Sequence, residues 1–336
     1  MSISVTTAIP AIHPAFNPTP LVITKTASET QVSITLDGIE RVREFLGTTA
    51  TFDVSSVVKH LLVEGLTEIN AAGNSGANTA KAYTDALMSK KYALSIEEGA
   101  NSYYIALNAA LQAGQAIDYF VSRTNKLLTG FERLRFFAGY PQRVYVLPGS
   151  TNNFLNFLSA GTAVVSKATP GGLVWFAEMA FNTSPSYVRL STTTYSPGND
   201  VDNRPVDTPC LPASPFWVRW VNQIGGMDHW MFGGRQFEGL TLKEKQTYTP
   251  ATNTIGKYKR QISAEAENMI TVGASGLSEN EYQNISRIIL SPKIEYYDSG
   301  EWIPITIDKA ELSRNTGEPM QEIELSFELP QPNLQH

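Results

Sequence analysis

Apolar and polar positions alternate most clearly near the start of the chain. Residues 31–36 carry apolar side chains at every second position, and a second run over 39–45 follows the pair Asp37 and Gly38. An Asp-Gly pair between alternating runs is typical of a two-residue hairpin turn, because both turn positions take a positive φ. The sequence therefore predicts a β-hairpin over residues 31–45.

Two segments show helical rather than alternating spacing. Residues 54–62 place apolar side chains on one helical face, behind an aspartate and a serine that can cap the first turn. Ser278 and Glu281 have the spacing of a capping box and precede apolar residues at helical intervals. We therefore expect a short helix at 54–62 and a second helix near 278–290.

Most other patterned segments favour strands, because they combine β-branched and aromatic residues with glycine or proline at their ends. Residues 103–111 fit either a strand or a helix. The remaining strand candidates are 143–147, 173–177, 187–195, 216–221, 228–232, 293–297, 301–307 and 323–329, and residues 241–273 hold further candidates. In the last of these, glutamates occupy alternate positions, which predicts a half-buried strand with an acidic outer face.

These elements predict a mainly β fold with minor α content, built as two or three β-sandwich-like modules joined by long irregular crossings. The expected modules are an N-terminal hairpin and short-helix module (1–70), a central β-rich region (71–215) and a C-terminal β-rich module (216–336). Within the central region, the Ala/Gly/Asn/Ser-rich residues 70–80 predict a flexible loop. Six prolines between residues 184 and 215 predict a long irregular crossing.

Composition limits the classes of function. Charged residues make up 17% of the chain, against roughly 25% in ordinary soluble domains. The net charge is −6 and no Lys/Arg block is present, so nucleic-acid binding is not expected. A low charge content favours surfaces that are covered by protein, as in an assembled protein.

Cysteine usage and the early residues bear on the compartment. A lone cysteine, Cys210, cannot form an intrachain disulfide, which favours a reducing compartment. No Lys or Arg precedes Lys25, and prolines interrupt the early apolar residues, so a signal peptide is not expected. The longest uncharged stretch, 144–166, contains proline, glycine and asparagines. We therefore expect no membrane span.

Candidate chemistry centres on aromatic residues rather than on a catalytic motif. The four histidines lie far apart in sequence and form no metal-binding pattern, and no phosphate-binding glycine motif occurs, so no metal or cofactor is expected. Asp228 and His229 lie next to tryptophans and admit a hydrolytic pocket or a sugar-binding platform. Neighbouring strand residues point to opposite faces, however, which favours aromatic core packing over a catalytic dyad. No catalytic residue is assigned.

A resemblance sharpens this picture. Residues 216–232, FWVRWVNQIGGMDHWMF, are similar to a [VR]-W-[LV]-N-x-x-G-G-x-D-x-W-x-F pattern of structural tail and baseplate proteins of tailed bacteriophages and prophages of gut anaerobes. The opening hairpin and short helix, together with the segments 277–292 and 301–305, resemble the first and last modules of such proteins. The resemblance covers about half of the chain in patches.

The resemblance implies a virion protein, similar to distal-tail or tail-hub subunits, that is assembled in the host cytoplasm with other virion tail proteins. Its candidate structural or interaction residues are Trp217, Arg219, Trp220, Asp228, Trp230 and Trp302. Two other functions stay open at this point. One is a carbohydrate- or receptor-binding tail module that stacks a glycan on exposed tryptophans, and the other is a hydrolase of cell-envelope polysaccharides.

Overall fold

The structure of the chain is a computed structural model. The residues that it describes are 4–24, 31–44, 48–69, 79–98, 101–111, 126–147, 154–159, 162–168, 174–180, 185–191, 200–233, 237–248, 260–312, 317 and 319–330. These residues are mainly β, with two short helices among them, as the sequence predicts.

The chain folds as two compact units. The N-terminal unit comprises Met1–Pro209 together with Val221–Asp228, and the C-terminal unit comprises Cys210–Trp220 together with His229–His336. The predicted boundary near residue 70 falls between strands that pair in one sheet, Leu66–Ile69 and Thr79–Asp85.

Two sheets and a helix share the first core of the N-terminal unit. One sheet has the order β1-β3-β6 and the other β2-β10-β9-β4-β5. Their strands are β1 (Ser4–Thr7), β2 (Ile12–Pro14), β3 (Pro20–Thr24), β4 (Gln31–Leu36), β5 (Ile39–Glu44), β6 (Thr49–Asp53), β9 (Ser89–Glu98) and β10 (Asn101–Leu111). Buried apolar residues of both sheets belong to one continuous cluster. Residues 103–111, which fit either a strand or a helix by sequence, lie in strand β10, because they pair antiparallel with β9.

The predicted hairpin is confirmed as β4 and β5. Asp37 and Gly38 form the turn, with φ values of 49° and 85°, because the two-residue turn requires left-handed backbone at both positions. The predicted short helix is confirmed as α1 (Ser55–Val58), which continues as a 3₁₀ turn to Leu61. The Asp53 carboxylate accepts hydrogen bonds from the backbone N–H groups of Thr19 and Ser55, at 2.9 and 3.0 Å.

A second pair of sheets shares another core of the N-terminal unit. The orders are β11-β13-β16-β8-β7 and β12-β18-β17-β14-β15. The strands are β7 (Leu66–Ile69), β8 (Thr79–Asp85), β11 (Lys126–Leu127), β12 (Leu134–Arg135), β13 (Gln142–Leu147), β14 (Phe154–Ser159), β15 (Thr162–Ala168), β16 (Trp175–Ala180), β17 (Tyr187–Ser191) and β18 (Asp200–Asp207). Alternate residues of the two sheets meet in one apolar cluster, as in a sheet-on-sheet arrangement.

The C-terminal unit is built on a seven-stranded sheet of order β20-β19-β23-β24-β25-β22-β21. Its strands are β19 (Phe216–Val221), β20 (Met227–Phe232), β21 (Phe237–Tyr248), β22 (Arg260–Leu277), β23 (Ile294–Asp298), β24 (Glu301–Glu311) and β25 (Gln321–Leu329). Helix α2 (Glu279–Ser286) begins at the predicted capping box, in which the hydroxyl of Ser278 and the carboxylate of Glu281 satisfy each other's backbone N–H. Strand β25 alternates between buried apolar residues and outward-facing glutamates, as predicted.

One sequence prediction needs correction. The Pro-rich segment 184–215 is not irregular throughout, because β17 and β18 lie within it and pair with each other. Pro205 occupies a strand position opposite Tyr187. The short strand β12 pairs only with Val206 and Asp207, so proline, which lacks an N–H, is tolerated at a position with a ladder partner on one side. Most of the predicted flexible loop 70–80 lies outside the described residues.

Candidate functional site: a tryptophan-rich sheet and its turn

Strand β19 is buried on both faces. Its odd and even residues point to opposite sides of the sheet, and all six side chains are buried. The even face carries Phe216, Val218 and Trp220, whereas the odd face carries Trp217 and Arg219. A strand that is buried on both faces usually reads as continuously apolar. An arginine in such a strand therefore needs a specific partner.

The even face is an aromatic core within the C-terminal unit. The ring of Phe216 stacks on Tyr296 at 5.3 Å between centroids and approaches Phe327 at 5.8 Å. Phe232 meets Phe327 edge to face at 6.3 Å. Trp220 has no solvent-exposed surface. Aromatic pairs at these distances add to the stabilisation that area burial provides, so this face serves packing.

The odd face holds a buried ion pair. Arg219 lies directly opposite Glu295 of β23 in the strand register, and its Nε donates to Glu295 Oε2 at 2.6 Å. The second carboxylate oxygen, Oε1, lies 3.1 Å from Nζ of Lys293. The guanidinium carbon of Arg219 lies 4.0 Å from the ring centroid of Trp302. We call Arg219, Glu295, Lys293 and Trp302 the charged cluster.

The charged cluster keeps its carboxylate ionised. Burial alone would raise the pKa of Glu295, but the charges and hydrogen bonds of Arg219 and Lys293 outweigh it and hold that pKa below its usual value. Arg219 and Glu295 are each only 5% exposed. Removing one member of such a pair leaves the other charge buried without its partner, which lowers the free energy of unfolding by about 3–5 kcal/mol. Both members of the pair are therefore needed for the stability of the fold.

Three aromatic side chains extend this face of the sheet. The imidazole of His229 stacks on Trp217, with centroids 5.5 Å apart and planes at 22°. It also contacts Trp302 at 6.0 Å, edge to face. Trp217 is 1% exposed, while His229 and Trp302 are half-buried. A sugar platform requires an exposed ring face, which Trp217 does not offer.

The turn between β19 and β20 belongs to the N-terminal unit and is fixed by one asparagine. The side-chain carbonyl of Asn222 accepts hydrogen bonds from the backbone N–H groups of Ile224 and Gly226, at 2.9 and 3.0 Å. Its amide donates to the carbonyl oxygen of Leu128 at 2.9 Å. These three bonds satisfy backbone groups that would otherwise be buried without partners.

The turn requires glycine at two positions, and the physical reason differs between them. Gly225 has φ +97°, which a side chain disfavours. A Cβ atom on Gly226 would lie 2.3 Å from the carbonyl oxygen of Leu128, so no other residue fits without moving the backbone. Ile224 and Met227 pack into an apolar cluster of the N-terminal unit. The turn is thus specified by both hydrogen bonds and space.

Asp228 and His229 do not act as a dyad. The carboxylate of Asp228 is buried and accepts a hydrogen bond from the hydroxyl of Thr129 at 2.6 Å, whereas His229 stacks on Trp217. Adjacent strand residues point apart, as the sequence predicts. The two side chains therefore have different partners and do not contact one another as a catalytic pair would.

The structure brings some of the six predicted residues together and separates others. Trp217, Arg219 and Trp302 share one face of the sheet, and Trp220 lies on the other face of the same strand. Trp230 is buried in the C-terminal unit. Glu295 and Lys293 were not predicted from the sequence. Lys293 directly precedes β23 and is two residues from Glu295. This close spacing of a cation and a carboxylate was the available signal.

Within the described residues, no group of three His, Cys, Asp or Glu side chains is placed to hold a metal ion. No helix in the described part of the chain is long and apolar enough to cross a membrane. The chain matches no protein-family model, no curated protein and no solved structure.

Proposed function

We propose that the chain is a structural virion protein of a phage tail or tail tip, which forms subunit interfaces in an oligomeric ring or shell. Its partners in this proposal are copies of itself and other virion tail proteins. It assembles in the cytoplasm of the infected cell and carries out no catalysis. The proposal starts from the resemblance of residues 216–232 to tail and baseplate proteins.

One observation carries the proposal: every fixed position of the resembling segment has a structural role. Trp220, Trp230 and Phe232 are buried rings. The side chain of Asn222 holds the turn, and Gly226 leaves room for a neighbouring carbonyl. A segment selected for ligand chemistry would instead keep polar groups accessible.

The remaining fixed positions fit the same account. Gly225 provides a positive φ, Asp228 accepts a hydrogen bond from Thr129, and Arg219 forms the buried ion pair with Glu295. A pattern whose positions all serve packing is what a scaffold protein requires, because its function is to hold geometry between subunits. The low charge content of the chain agrees with extensive coverage by neighbours.

The native mass of the full chain tests this proposal. Light scattering coupled to size exclusion should give a multimer of one defined mass, and negative-stain images should show closed rings or shells of one size. A chain that stays monomeric at all concentrations would contradict it. The gene neighbourhood gives an independent check, since portal, tail-tube or tape-measure genes are expected to flank the gene.

The two alternative functions predict different results. A receptor-binding module would be a monomer or small oligomer that binds glycans through Trp302, the half-buried ring of the charged cluster. A hydrolase would release soluble product from host envelope, and substitution of one carboxylate would abolish that release. Either result would replace the structural proposal.

A further inference from the structure

The turn of the first hairpin places a reactive pair of residues on the surface. Asp37 and Gly38 connect β4 to β5, and both are exposed. An aspartate that precedes a glycine can cyclise, because the glycine nitrogen can attack the aspartate carboxyl group and glycine has no side chain to hinder the approach. A Cβ atom on Gly38 would meet nothing within 4 Å, so the surroundings of the turn leave that approach open as well.

The attacking nitrogen is not held by the sheet. Leu36 and Ile39 form the last pair of the hairpin ladder, so the two turn residues between them lie outside it. The N–H of Asp37 donates to the carbonyl oxygen of Ala93 at 2.9 Å. The N–H of Gly38 is therefore the turn nitrogen that can react without breaking a ladder bond.

The backbone of Asp37 also favours a change of connectivity. Among the described non-glycine residues, only Asp37 and Ser299 have a positive φ, at 49° and 50°. A left-handed backbone is unfavourable for a residue that carries a Cβ atom, and Asp37 adopts it because the two-residue turn demands it. A main chain with one more methylene group at this position is free of that restriction.

One contact opposes the cyclisation. Nζ of Lys90 lies 3.1 Å from Oδ2 of Asp37, and both side chains are 38% exposed. The cyclic product is an uncharged imide, so the ion pair with Lys90 is lost as the ring forms. The pair therefore stabilises the reactant but not the product, and it slows the reaction.

We propose that Asp37 is a site of spontaneous isomerisation to isoaspartate, which Lys90 restrains. The nitrogen of Gly38 bonds to the side-chain carboxyl carbon of Asp37. The proton of that nitrogen and the hydroxyl of the protonated carboxyl group leave together as water, and a five-membered imide remains. Water then adds to one of the two imide carbonyl groups, so one water molecule leaves and one returns.

The carbonyl group that water attacks decides the product. Attack at the side-chain carbonyl opens the ring to aspartate again. Attack at the main-chain carbonyl breaks the original peptide bond between Asp37 and Gly38, and the chain then runs through the former side chain. The mass of the protein is unchanged, and no oxidant or reductant takes part.

Isomerisation would disturb the hairpin and the core beneath it. It adds one methylene group to the main chain between Leu36 and Ile39, and hairpin register depends on the length of the turn. Val32, Ile34 and Leu36 of β4 belong to the first core, so a change of register reaches buried side chains. This chemistry goes beyond the proposed virion function and does not depend on it.

Peptide mapping of the aged full chain tests the proposal. Wild-type protein is incubated at mildly acidic pH and body temperature, and electron-transfer fragmentation distinguishes isoaspartate from aspartate. Isoaspartate should accumulate at Asp37 with time. Asp298 is the internal control, because it is also exposed beside a hairpin turn but precedes Ser299, whose side chain hinders attack. It should remain aspartate over the same period.

Three variants separate the parts of the proposal. Lys90→Gln should accelerate the isomerisation about two- to fivefold, the factor that an exposed ion pair supplies. Lys91→Gln is its matched control, since Lys91 is exposed on the opposite face of β9, and the rate should not change. Gly38→Asn keeps a residue that tolerates a positive φ but adds a side chain, and should suppress the reaction. Thermal unfolding before incubation confirms that each variant is folded.

The contradicting results are equally specific. Absence of isoaspartate at Asp37 over a period in which wild type unfolded in urea forms it would overturn the proposal, and so would equal accumulation at Asp298. A rate that Lys90→Gln leaves unchanged would overturn the restraint by Lys90. None of these results bears on the native mass that tests the virion proposal, so the two proposals fail independently.

Discussion

Each unit buries a polar pair, but only one of the pairs is charged. In the N-terminal unit, Nε2 of His13 lies 2.6 Å from the hydroxyl oxygen of Tyr92, deep in the first core. In the C-terminal unit, Arg219 and Glu295 form an ion pair with similar burial. Burial disfavours charge in both places. The difference is whether an opposite charge is packed against the group.

The pKa shifts follow from that difference. Burial is the main cause that lowers the pKa of His13 to about 4, against a smaller opposing effect of a backbone hydrogen bond at Pro14, so this imidazole is neutral at neutral pH. For Glu295, burial acts toward the neutral acid, but Arg219 and Lys293 outweigh it. One core excludes charge, and the other accommodates it by pairing.

Breaking the charged pair should have the largest effect. Arg219→Met leaves Glu295 buried with only Lys293 beside it, and we expect unfolding free energy to fall by about 3–5 kcal/mol. The double variant Arg219→Met with Glu295→Met should recover most of this loss, because no charge is left buried. Urea unfolding of the wild type, the singles and the double variant measures the coupling. A double variant as unstable as the sum of the singles would contradict this assignment.

The opposite face of β19 supplies an apolar reference. Trp220 is fully buried, so Trp220→Ala should cost about 3–5 kcal/mol through lost burial and the cavity left behind. Leu290→Ala, at an exposed leucine of the same unit, should change unfolding free energy by no more than about 0.5 kcal/mol. Chemical denaturation measures both variants. Near-normal stability of Trp220→Ala would show that this ring is not core.

Acid should affect the two pairs in different pH windows. His13 has a folded pKa near 4 and an ordinary value near 6.5, so the unfolded chain binds the proton first as pH falls. Stability should decline by about 3 kcal/mol between pH 6.5 and 4. His13→Gln should flatten this decline, which unfolding measured at several pH values detects. A wild-type curve that is flat over this window would contradict the neutral buried histidine.

Glu295 should respond only at lower pH. Its folded pKa is depressed, so its contribution is fully present above the ordinary carboxyl pKa of about 4.3 and is lost as pH falls through the depressed value.

The neutral pair should give the smallest effect. Tyr92→Phe removes one hydroxyl and leaves a buried ring nitrogen of His13 without that hydrogen bond, at a cost of about 1–3 kcal/mol. Thermal unfolding at neutral pH measures the loss, and Thr6→Val, which removes an exposed hydroxyl pair with Thr24, serves as the control. A loss as large as that of Arg219→Met would remove the contrast between the two pairs.

Local features were predictable because neighbours in sequence determine them. The turn at Asp37 and Gly38 and the capping box at Ser278 and Glu281 both follow from short spacings. The strand at Pro205 was not predictable, because it depends on pairing with β17 and no apolar alternation within residues 200–207 announces it.

Within the candidate site, too, the local features were predictable from the sequence and the contacts made by long-range strand pairing were not. Alternation along β19 places Trp217 and Arg219 on one face, and the sequence alone shows this. The partner of Arg219 is Glu295, which lies 76 residues further along the chain. The pairing of β19 with β23 determines that contact, and no pattern within either strand specifies it.

Trp302 gives the most direct test of the claim that the charged cluster is architectural, since its ring is half-buried and covers Arg219. Unfolding free energy and glycan-array binding should be measured on the same preparations of wild type and Trp302→Ala. We predict a loss of about 2 kcal/mol from the removed cation–π contact, with no glycan bound by either protein. Wild-type glycan binding that disappears in Trp302→Ala at unchanged stability would contradict the account.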